Sequence, residues 1–345
     1  MNYQHVCVEN FTHLLPEEEI TTDQIEQRLG PVYRRLKLPE GRLELMTGIR
    51  SRRWWPQGTG IGAISIQTVK KAVAASGIDV SQFGALIHGS VCRDFMEPAT
   101  AAGVHLGSGL PSDCLIFDVS NACLGILNGV VLLANMIELG QVKAGVVVGT
   151  ENGRSLLETT IQRMNADETL TRQSVKNFFA SLTIGSASAA VVLAHDSITR
   201  TGNRLLGGAY LAATEGSALC QSDDSVQEGD FMRTDSENLL KQGCQAAARC
   251  FPQFLQNLGW TRDSFRRVFC HQVGKAHKKL LFETLDLNPD LDYSTMEFLG
   301  NTGSAALPSA VALGVEANAV QKNSNAALLG IGSGINVMML GVHFA

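Results

Sequence analysis

The stretch that decides the fold is FDVSNACLGILNGVVLLANMIEL, residues 117–139. It begins as a short strand, turns sharply and continues from Cys123 as a helix that is apolar on nearly every side. It carries no charged residue between Asp118 and Glu138. A helix without a polar face is buried either in a large core or in a bilayer. Two asparagines interrupt a run that is already shorter than the roughly 20 apolar residues of a membrane span. The stretch therefore predicts a central core helix.

Cys123 is the candidate nucleophile. At the first turn of a helix, unpaired N–H groups and the positive end of the helix dipole both stabilise a thiolate. A free thiol titrates near about 8.5, and such a position lowers that pKa. We therefore expect an acidic thiol at Cys123. The chain has eight cysteines without a CxxC pair or a metal-ligand spacing, so the other seven are predicted to be small buried hydrophobes.

The composition fits a well-buried α/β protein. The chain has 345 residues, 45% of them hydrophobic, and 34 glycines, so it forms two domains or one fold built from two halves. A net charge of −5 without a basic run argues against nucleic acid or an anionic membrane as a partner. The N-terminal residues lack a basic start and a long apolar run, so we expect no signal peptide and a cytoplasmic location.

The histidines give no reason to predict a metal site. His88 is expected to be a core residue and His277 a surface residue, while the remaining ones other than His271 have no partner cluster in the sequence. Those remaining histidines are His5, His13, His105, His195 and His343. The chain also lacks a GxxxxGK phosphate loop, and the GIGSG segment at residues 330–334 is too short for a dinucleotide fingerprint.

Periodicity predicts alternating strands and helices. The predicted elements are a strand over 3–12, a helix capped by Thr21 or Thr22, a helix over 61–76, strands over 85–91, 145–151 and 187–194, a polar helical insertion over about 154–182, and a helix from Leu240. Between the first two helices lies the basic segment TGIRSRRWW, residues 47–55. Arg50, Arg52 and Arg53 in it are either a solvated turn or contacts to a phosphate or nucleotide at a pocket mouth.

The second part of the chain repeats the plan of the first. Three pairs of segments match at offsets of 180 to 183 residues: ALIHGSV (85–91) with VFCHQV (268–273), SNACLG (120–125) with GNTGSA (300–305), and VVVGTE (146–151) with LLGIGSG (328–334). A near-constant offset indicates a duplicated α/β unit. We divide the chain into a half at 1–200 that carries Cys123 and a half at 201–345.

The candidate polar residues all follow predicted strands. Cys123, His271, Asn301 and the 330–334 loop lie at strand ends, where open α/β sheets place their sites. Cysteine, histidine and asparagine could form an activated-thiol hydrolase site. The histidine and asparagine could equally donate two hydrogen bonds to one oxygen of an enolate or thioester. The residues alone leave both alternatives open.

These motifs resemble a known family. NAC at 121–123, HQV at 271–273, GNTGSAALP at 300–308 and IGSG at 331–334 are similar to the thiolase-fold condensing enzymes, most of all their ketoacyl synthase III branch. The resemblance implies a thiolase fold, with duplicated βαβαβαββ halves in five αβαβα layers, and normally a homodimer. It implies that Cys123 is acylated and that His271 and Asn301 polarise the thioester oxygen of the second substrate. Backbone N–H groups of Cys123, Ser333 and Gly334 would form the oxyanion hole.

One segment sets the chain apart from the fatty-acid-initiation synthases. Those enzymes usually carry a tryptophan and an arginine that contact CoA, where this chain has about Arg42 and Met46. SVCRDFMEPAT at 90–100 instead resembles the OleA-like enzymes, which join two fatty acyl-CoA molecules head to head. In that family the glutamate matching Glu97 enters from the neighbouring subunit. By itself, Glu97 would be read as an exposed loop acid.

Glu97 carries the chemical distinction. A synthase that uses a malonyl thioester forms its carbanion by losing CO₂, whereas condensation of two simple acyl thioesters requires a base for an α proton. The resemblance therefore implies a non-decarboxylative Claisen condensation of two acyl-CoAs through an acyl-Cys123, with no cofactor beyond the CoA thioesters. The alternatives are a decarboxylative 3-oxoacyl-ACP synthase III that uses malonyl-ACP, with acyl-ACP a possible substrate, and a homologue that only carries or hydrolyses acyl groups.

Overall fold

The computed structural model describes residues 1–223, 231–271 and 273–345, so Gln272 of the HQV motif lies outside the described residues. The strands are β1 (Val6–Leu14), β2 (Glu18–Thr21), β3 (Ser51–Trp54), β4 (Phe83–Gly89), β5 (Leu115–Val119), β6 (Ala144–Glu151), β7 (Ala187–His195), β8 (Arg204–Ala212), β9 (Cys220–Asp223), β10 (Phe231–Thr234), β11 (Arg267–Cys270), β12 (Ser324–Gly332) and β13 (Asn336–Phe344). The helices are α1 (Thr22–Arg28), α2 (Gly30–Leu36), α3 (Arg42–Thr47), α4 (Ile61–Ser76), α5 (Thr100–Ser108), α6 (Gly125–Glu138), α7 (Arg154–Ala166), α8 (Ser236–Leu258), α9 (Lys275–Leu285), α10 (Met296–Leu299) and α11 (Ala306–Glu316).

The sheet contains the same strand arrangement twice. In the first half, β4 pairs in parallel with β5 and β6, and β7 lies antiparallel between β6 and β1. In the second half, β11 pairs in parallel with β12, and β13 lies antiparallel between β12 and β8. In the second half, an isolated parallel bridge between Val268 and Asp292 occupies the position that β5 occupies beside β4 in the first half. Cys7 opposite Arg204 joins the halves along β1 and β8. The duplicated α/β plan is therefore confirmed.

The helices complete five layers. Helices α6 and α11 share one apolar core with residues from both halves of the sheet. Helices α4 and α5 cover the outer face of the first half, and α8 and α9 cover the outer face of the second. The order is therefore αβαβα, as the sequence resemblance implied. Because α6 lies in the central layer, eight of its 14 residues are buried, while Leu132 and Asn135 are exposed.

Local signals predicted most of the element boundaries. Thr21 caps α1 in a capping box in which its hydroxyl accepts from the N–H of Gln24, as expected from a threonine before a helix. The first strand begins at Val6, three residues later than predicted. The basic segment is not a free loop, because its central residues form β3, which pairs with β2. None of the helices in the described ranges is long and apolar enough to cross a bilayer.

Candidate active site

Cys123 lies in a tight turn between β5 and α6. The turn needs a left-handed backbone at Ala122, whose φ is 46°. Helix α6 begins at Gly125, two residues after the cysteine, so the expectation that the helix starts at Cys123 is wrong. Gly125 allows this end of the helix to approach β4 closely: a Cβ atom there would lie 2.9 Å from the carbonyl carbon of Gly89. The close contact fixes the turn that presents the thiol.

The pKa of Cys123 is raised, not lowered. Burial, and after it the nearby Glu151 carboxyl, raise the pKa of the thiol to about 12, although backbone N–H groups of Cys123 and Ser333 oppose the change. Partial removal of the thiol from water outweighs any stabilisation from the helix dipole, because the cysteine precedes the helix and is half-buried. The expectation of an acidic thiol is therefore wrong. In the free protein Cys123 is a neutral thiol at physiological pH.

A set of asparagines connects the Cys123 turn to the second half of the chain. Asn336 donates to Asn121 Oδ1 at 3.1 Å, and Asn121 donates to Asn128 Oδ1 at 2.9 Å. The amide of Asn336 also contacts the carbonyl oxygen of Ser333 at 3.2 Å. These bonds hold the turn between β12 and β13 beside Cys123. The N–H of Ser333 thus lies at the thiol, while the N–H of Gly334 has no hydrogen-bond partner among the described residues.

His271 follows β11 directly. Its N–H donates to the carbonyl oxygen of Leu329 in β12, which places the imidazole at the carboxyl edge of the second half-sheet. The residue is 3% exposed, and burial, with a smaller effect from His277, lowers its pKa to about 3. The ring is therefore neutral. Gly332, at the end of the neighbouring strand β12, packs against the backbone and Cβ of Cys123.

Asn301 is held by three backbone contacts. Its own N–H donates to Thr183 O, and its carbonyl oxygen accepts from the Gly185 N–H. The N–H of Gly303 donates to Oδ1 of its side chain at 3.0 Å. Because Oδ1 already has a donor, the NH₂ group is the part of the amide that remains to donate elsewhere. This orientation suits a group that stabilises an oxyanion.

Glu151 lies at the candidate site, although the sequence did not single it out. Its carboxylate accepts from Ser304 Oγ at 2.5 Å, from the N–H groups of Ser304 and Val91, and from the N–H of Cys92 at 3.3 Å. It therefore joins the loop that carries Glu97 to the segment that follows Asn301, close enough to Cys123 to affect its pKa. Burial raises the pKa of the Glu151 carboxyl. In the sequence, Glu151 stands out only as the single acid at the end of the apolar segment GVVVGTE, residues 145–151.

Glu97 lies on an exposed loop. Residues 91–99 are exposed or half-exposed, with Phe95 67% and Met96 83% accessible. The base of the loop is fixed, because Asp94 accepts from the N–H groups of Ile61 and Gly62 at the start of α4, at 2.6 and 2.8 Å. Within this chain the carboxylate of Glu97 therefore stands in solvent beside two apolar side chains.

The three candidate arginines have different environments. Arg52 is completely buried and donates to Thr22 Oγ1 at 3.2 Å and to Leu182 O at 3.0 Å, and burial lowers its pKa to about 10. A guanidinium enclosed in this way cannot reach a CoA phosphate, so that expectation is wrong for Arg52. Arg53 donates to Pro16 O at 2.9 Å, and Arg50 pairs with Glu297 at the surface. These two retain accessible side chains.

The expectation that His5 and His195 lack a partner cluster is wrong. Nδ1 of His5 and Nδ1 of His195 contact the two carboxylate oxygens of Asp196, at 2.9 and 3.1 Å, and the imidazole rings stack with centroids 5.3 Å apart. The spacing would allow a metal ion, but the ring nitrogens are already in contact with Asp196, and His195 Nδ1 also accepts from the N–H of Ser197. The cluster lies where β1 begins and β7 ends. His88 is buried beside Ser65, as predicted.

Two family models match the chain. The thiolase N-terminal domain matches residues 46–203, and the C-terminal domain of 3-oxoacyl-[acyl-carrier-protein] synthase III matches residues 255–342. The first match covers the Cys123 turn and Glu97, and the second covers His271 and Asn301.

Similar proteins cover the whole chain. The acyl-CoA:acyl-CoA alkyltransferase of Shewanella oneidensis is 38% identical, with 100% of both chains covered. The enzyme of the same name from Xanthomonas campestris is 32% identical, with 98% of both chains covered. Crystal structures of Xanthomonas campestris OleA superpose with a TM-score of 0.94 at 32% identity, covering 100% of this chain and 98% of the other. They include variants of a glutamate, a cysteine and a histidine, and a cysteine-to-serine variant with bound lauric acid and lauroyl-CoA.

Proposed function

Because this chain belongs to the acyl-CoA:acyl-CoA alkyltransferase family of thiolase-fold condensing enzymes, we propose that it joins two fatty acyl-CoA molecules by a non-decarboxylative Claisen condensation. One observation carries the proposal: the exposed Glu97 loop accompanies a half-buried thiol, a neutral histidine and an oriented asparagine in a chain 38% identical to such an enzyme over its full length. An acid that can serve as base is what this condensation needs and what a decarboxylating synthase does not.

The first step acylates Cys123. Its sulphur attacks the carbonyl carbon of an acyl-CoA, the carbon–sulphur bond to CoA breaks, and the thiol proton ends on the departing CoA sulphur. N–H groups of Cys123, Ser333 and Gly334 stabilise the oxyanion. The raised pKa of Cys123 means that the thiol ionises only as it reacts.

The second step forms the carbon–carbon bond. Glu97 removes an α proton from a second acyl-CoA, and the enolate oxygen receives hydrogen bonds from His271 Nε2–H and the NH₂ group of Asn301. The α carbon attacks the acyl-Cys123 carbonyl, the bond to sulphur breaks, and a β-ketoacyl-CoA leaves. The Cys123 thiolate recovers its proton from Glu97. The reaction uses CoA thioesters as substrates and requires no bound cofactor or metal.

Glu97 acts in the neighbouring subunit of a homodimer. A loop that exposes Phe95 and Met96 around an acid is suited to insertion into an apolar pocket, and burying those two side chains stabilises by about 2–3 kcal/mol each. Arg50 and Arg53 are the remaining candidates for CoA phosphate contacts at the pocket mouth. We place the protein in the cytoplasm, with acyl-ACP as an alternative acyl donor.

The test uses purified protein with myristoyl-CoA as the only substrate. We expect release of CoA and a β-keto product that decays to a ketone. Glu97→Gln should reduce condensation by at least 100-fold, because the base is removed, while intact-mass spectrometry still detects myristoyl-Cys123. Glu17→Gln, another acid at an exposed position, is the matched control and should keep wild-type activity.

Two results would overturn the proposal. Product formation that requires malonyl-ACP and is unchanged in Glu97→Gln would identify a decarboxylative synthase. Acylation of Cys123 without any new carbon–carbon bond would identify an acyl carrier or hydrolase.

A further inference from the structure

A cavity lies beside His271. The space open to the centre of a water molecule is about 10 Å³, which is room for one water, and it is lined by side chains from the segment after β11, from α9 and from the segment before α10. The polar lining residues are His271, His277, Lys278, Asp292 and Ser294. Such a cavity accommodates a water molecule where at least two polar groups face it.

Two buried polar atoms of this lining have no hydrogen-bond partner among the described residues. They are Nδ1 of His271 and Oδ1 of Asp292. His271 is 3% exposed, and the Asp292 side chain is 2% exposed. A buried polar atom left without a hydrogen-bond partner is costly, so both atoms need one.

The Asp292 carboxylate is anchored on its other side. Lys278 in α9 donates to Oδ2 at 2.7 Å, and the lysine side chain is 36% exposed. Burial raises the pKa of Asp292, whereas Lys278 and Arg267 oppose that change. The ion pair thus fixes the carboxylate with Oδ1 as its free acceptor.

We infer that Asp292 is a positioning residue for His271. A water molecule in the cavity donates one O–H to His271 Nδ1 and the other to Asp292 Oδ1, which satisfies both acceptors. With Nδ1 accepting, the neutral ring carries its proton on Nε2, the tautomer that donates to the enolate oxygen. If Nδ1 were protonated instead, the Nε2 lone pair would face that oxygen and repel it. The inference rests on the proposed function, since it specifies how His271 is prepared for the second step.

The decisive variants remove the acceptor without leaving a charge unpaired. Asp292→Leu with Lys278→Met replaces the ion pair by apolar groups, a change that is often neutral for stability. We expect condensation of myristoyl-CoA to fall by about tenfold or more, by analogy with groups that orient a functional histidine. Acylation of Cys123 should stay within twofold of wild type. Asp292→Asn keeps an acceptor oxygen and should retain at least a third of the condensation rate.

The control is Asp286→Asn. Asp286 directly follows α9, the helix that carries Lys278. Its side chain is 91% exposed and pairs with Arg262 at 3.8 Å. Asp286→Asn should leave the rate of Cys123 acylation and the rate of condensation unchanged. A wild-type rate of condensation in the double variant, or a loss of acylation as large as the loss of condensation, would overturn the inference.

A crystal structure of the wild-type protein provides a readout that does not depend on the reaction. We expect an ordered water within about 3 Å of both His271 Nδ1 and Asp292 Oδ1. A protein group bonded to Nδ1 in place of that water would also overturn the inference. If wild-type protein fails to condense acyl-CoAs, the proposed function fails, and this structure still decides the role of Asp292.

Discussion

Gly125→Ala tests the close contact between Gly125 and Gly89 that shapes the Cys123 turn. A Cβ atom at position 125 would meet the Gly89 carbonyl carbon at 2.9 Å, its oxygen at 3.0 Å and the Ser90 nitrogen at 3.2 Å. Unstrained carbon contacts lie at about 3.5–4.0 Å. All three neighbours are backbone atoms at the end of β4, so the side chain cannot be accommodated by a change of rotamer.

The expected magnitude follows from two opposing effects. Alanine in place of glycine within a helix stabilises by about 0.5–1 kcal/mol. Forcing an extra carbon into packed surroundings costs about 1–3 kcal/mol. Gly125→Ala should therefore lower the free energy of unfolding by about 1–2 kcal/mol. Gly243→Ala is the control, because Gly243 lies within α8 and a Cβ atom there would only touch Ile331 at 3.4 Å. It should be neutral or stabilising.

The assay combines thermal unfolding with acylation of Cys123 followed by intact mass. Gly125→Ala should melt several degrees below Gly243→Ala, and its acylation should be slower because the displaced turn moves the thiol relative to Ser333. If Gly125→Ala melts and acylates like Gly243→Ala, the contact with Gly89 does not position Cys123.

The other predictions concern Arg52 and Cys123, for which the structure contradicts the expected environment. Arg52→Lys should destabilise the fold by about 2–4 kcal/mol in urea unfolding, because a single ammonium cannot replace the hydrogen bonds to Thr22 and Leu182. The control Arg50→Lys changes an exposed arginine and should alter the free energy of unfolding by less than about 0.5 kcal/mol. Equal stabilities of the two variants would contradict the structural role of Arg52. Alkylation of Cys123 by iodoacetamide, measured by peptide mass spectrometry, should rise about tenfold per pH unit from pH 7 to 10, since a pKa of about 12 keeps the thiol protonated throughout that range. A plateau near pH 7 would show an acidic thiol after all.

Features that depend on local pattern were predictable from sequence. The duplicated strand order followed from three matched segments, and Thr21 as a cap followed from its position before an amphipathic run. The contact between Gly332 and Cys123, which follow strands of different halves, agrees with strand ends that meet in the repeated arrangement. The choice of His271 and Asn301 as candidates needed only residue type and position.

Features that depend on tertiary environment were not predictable. The pKa of Cys123 is set by enclosure and by Glu151, neither of which is visible in the residues around the cysteine. Arg52 belongs to a segment that reads as a basic surface turn, but pairing of β3 with β2 turns its side chain inward. His5 and His195 are far apart in sequence, and only the pairing of β1 with β7 brings them to Asp196.

Division of the site between the halves has a consequence for biosynthesis. At about 5–20 residues per second, a ribosome delivers the turn at Ser333 roughly 10–40 s after Cys123. Until then the set formed by His271, Asn301 and the Ser333 N–H is incomplete. A growing chain therefore carries Cys123 without all the groups of the candidate site, and the site is complete only once the last hairpin, β12 with β13, has closed against the Cys123 turn.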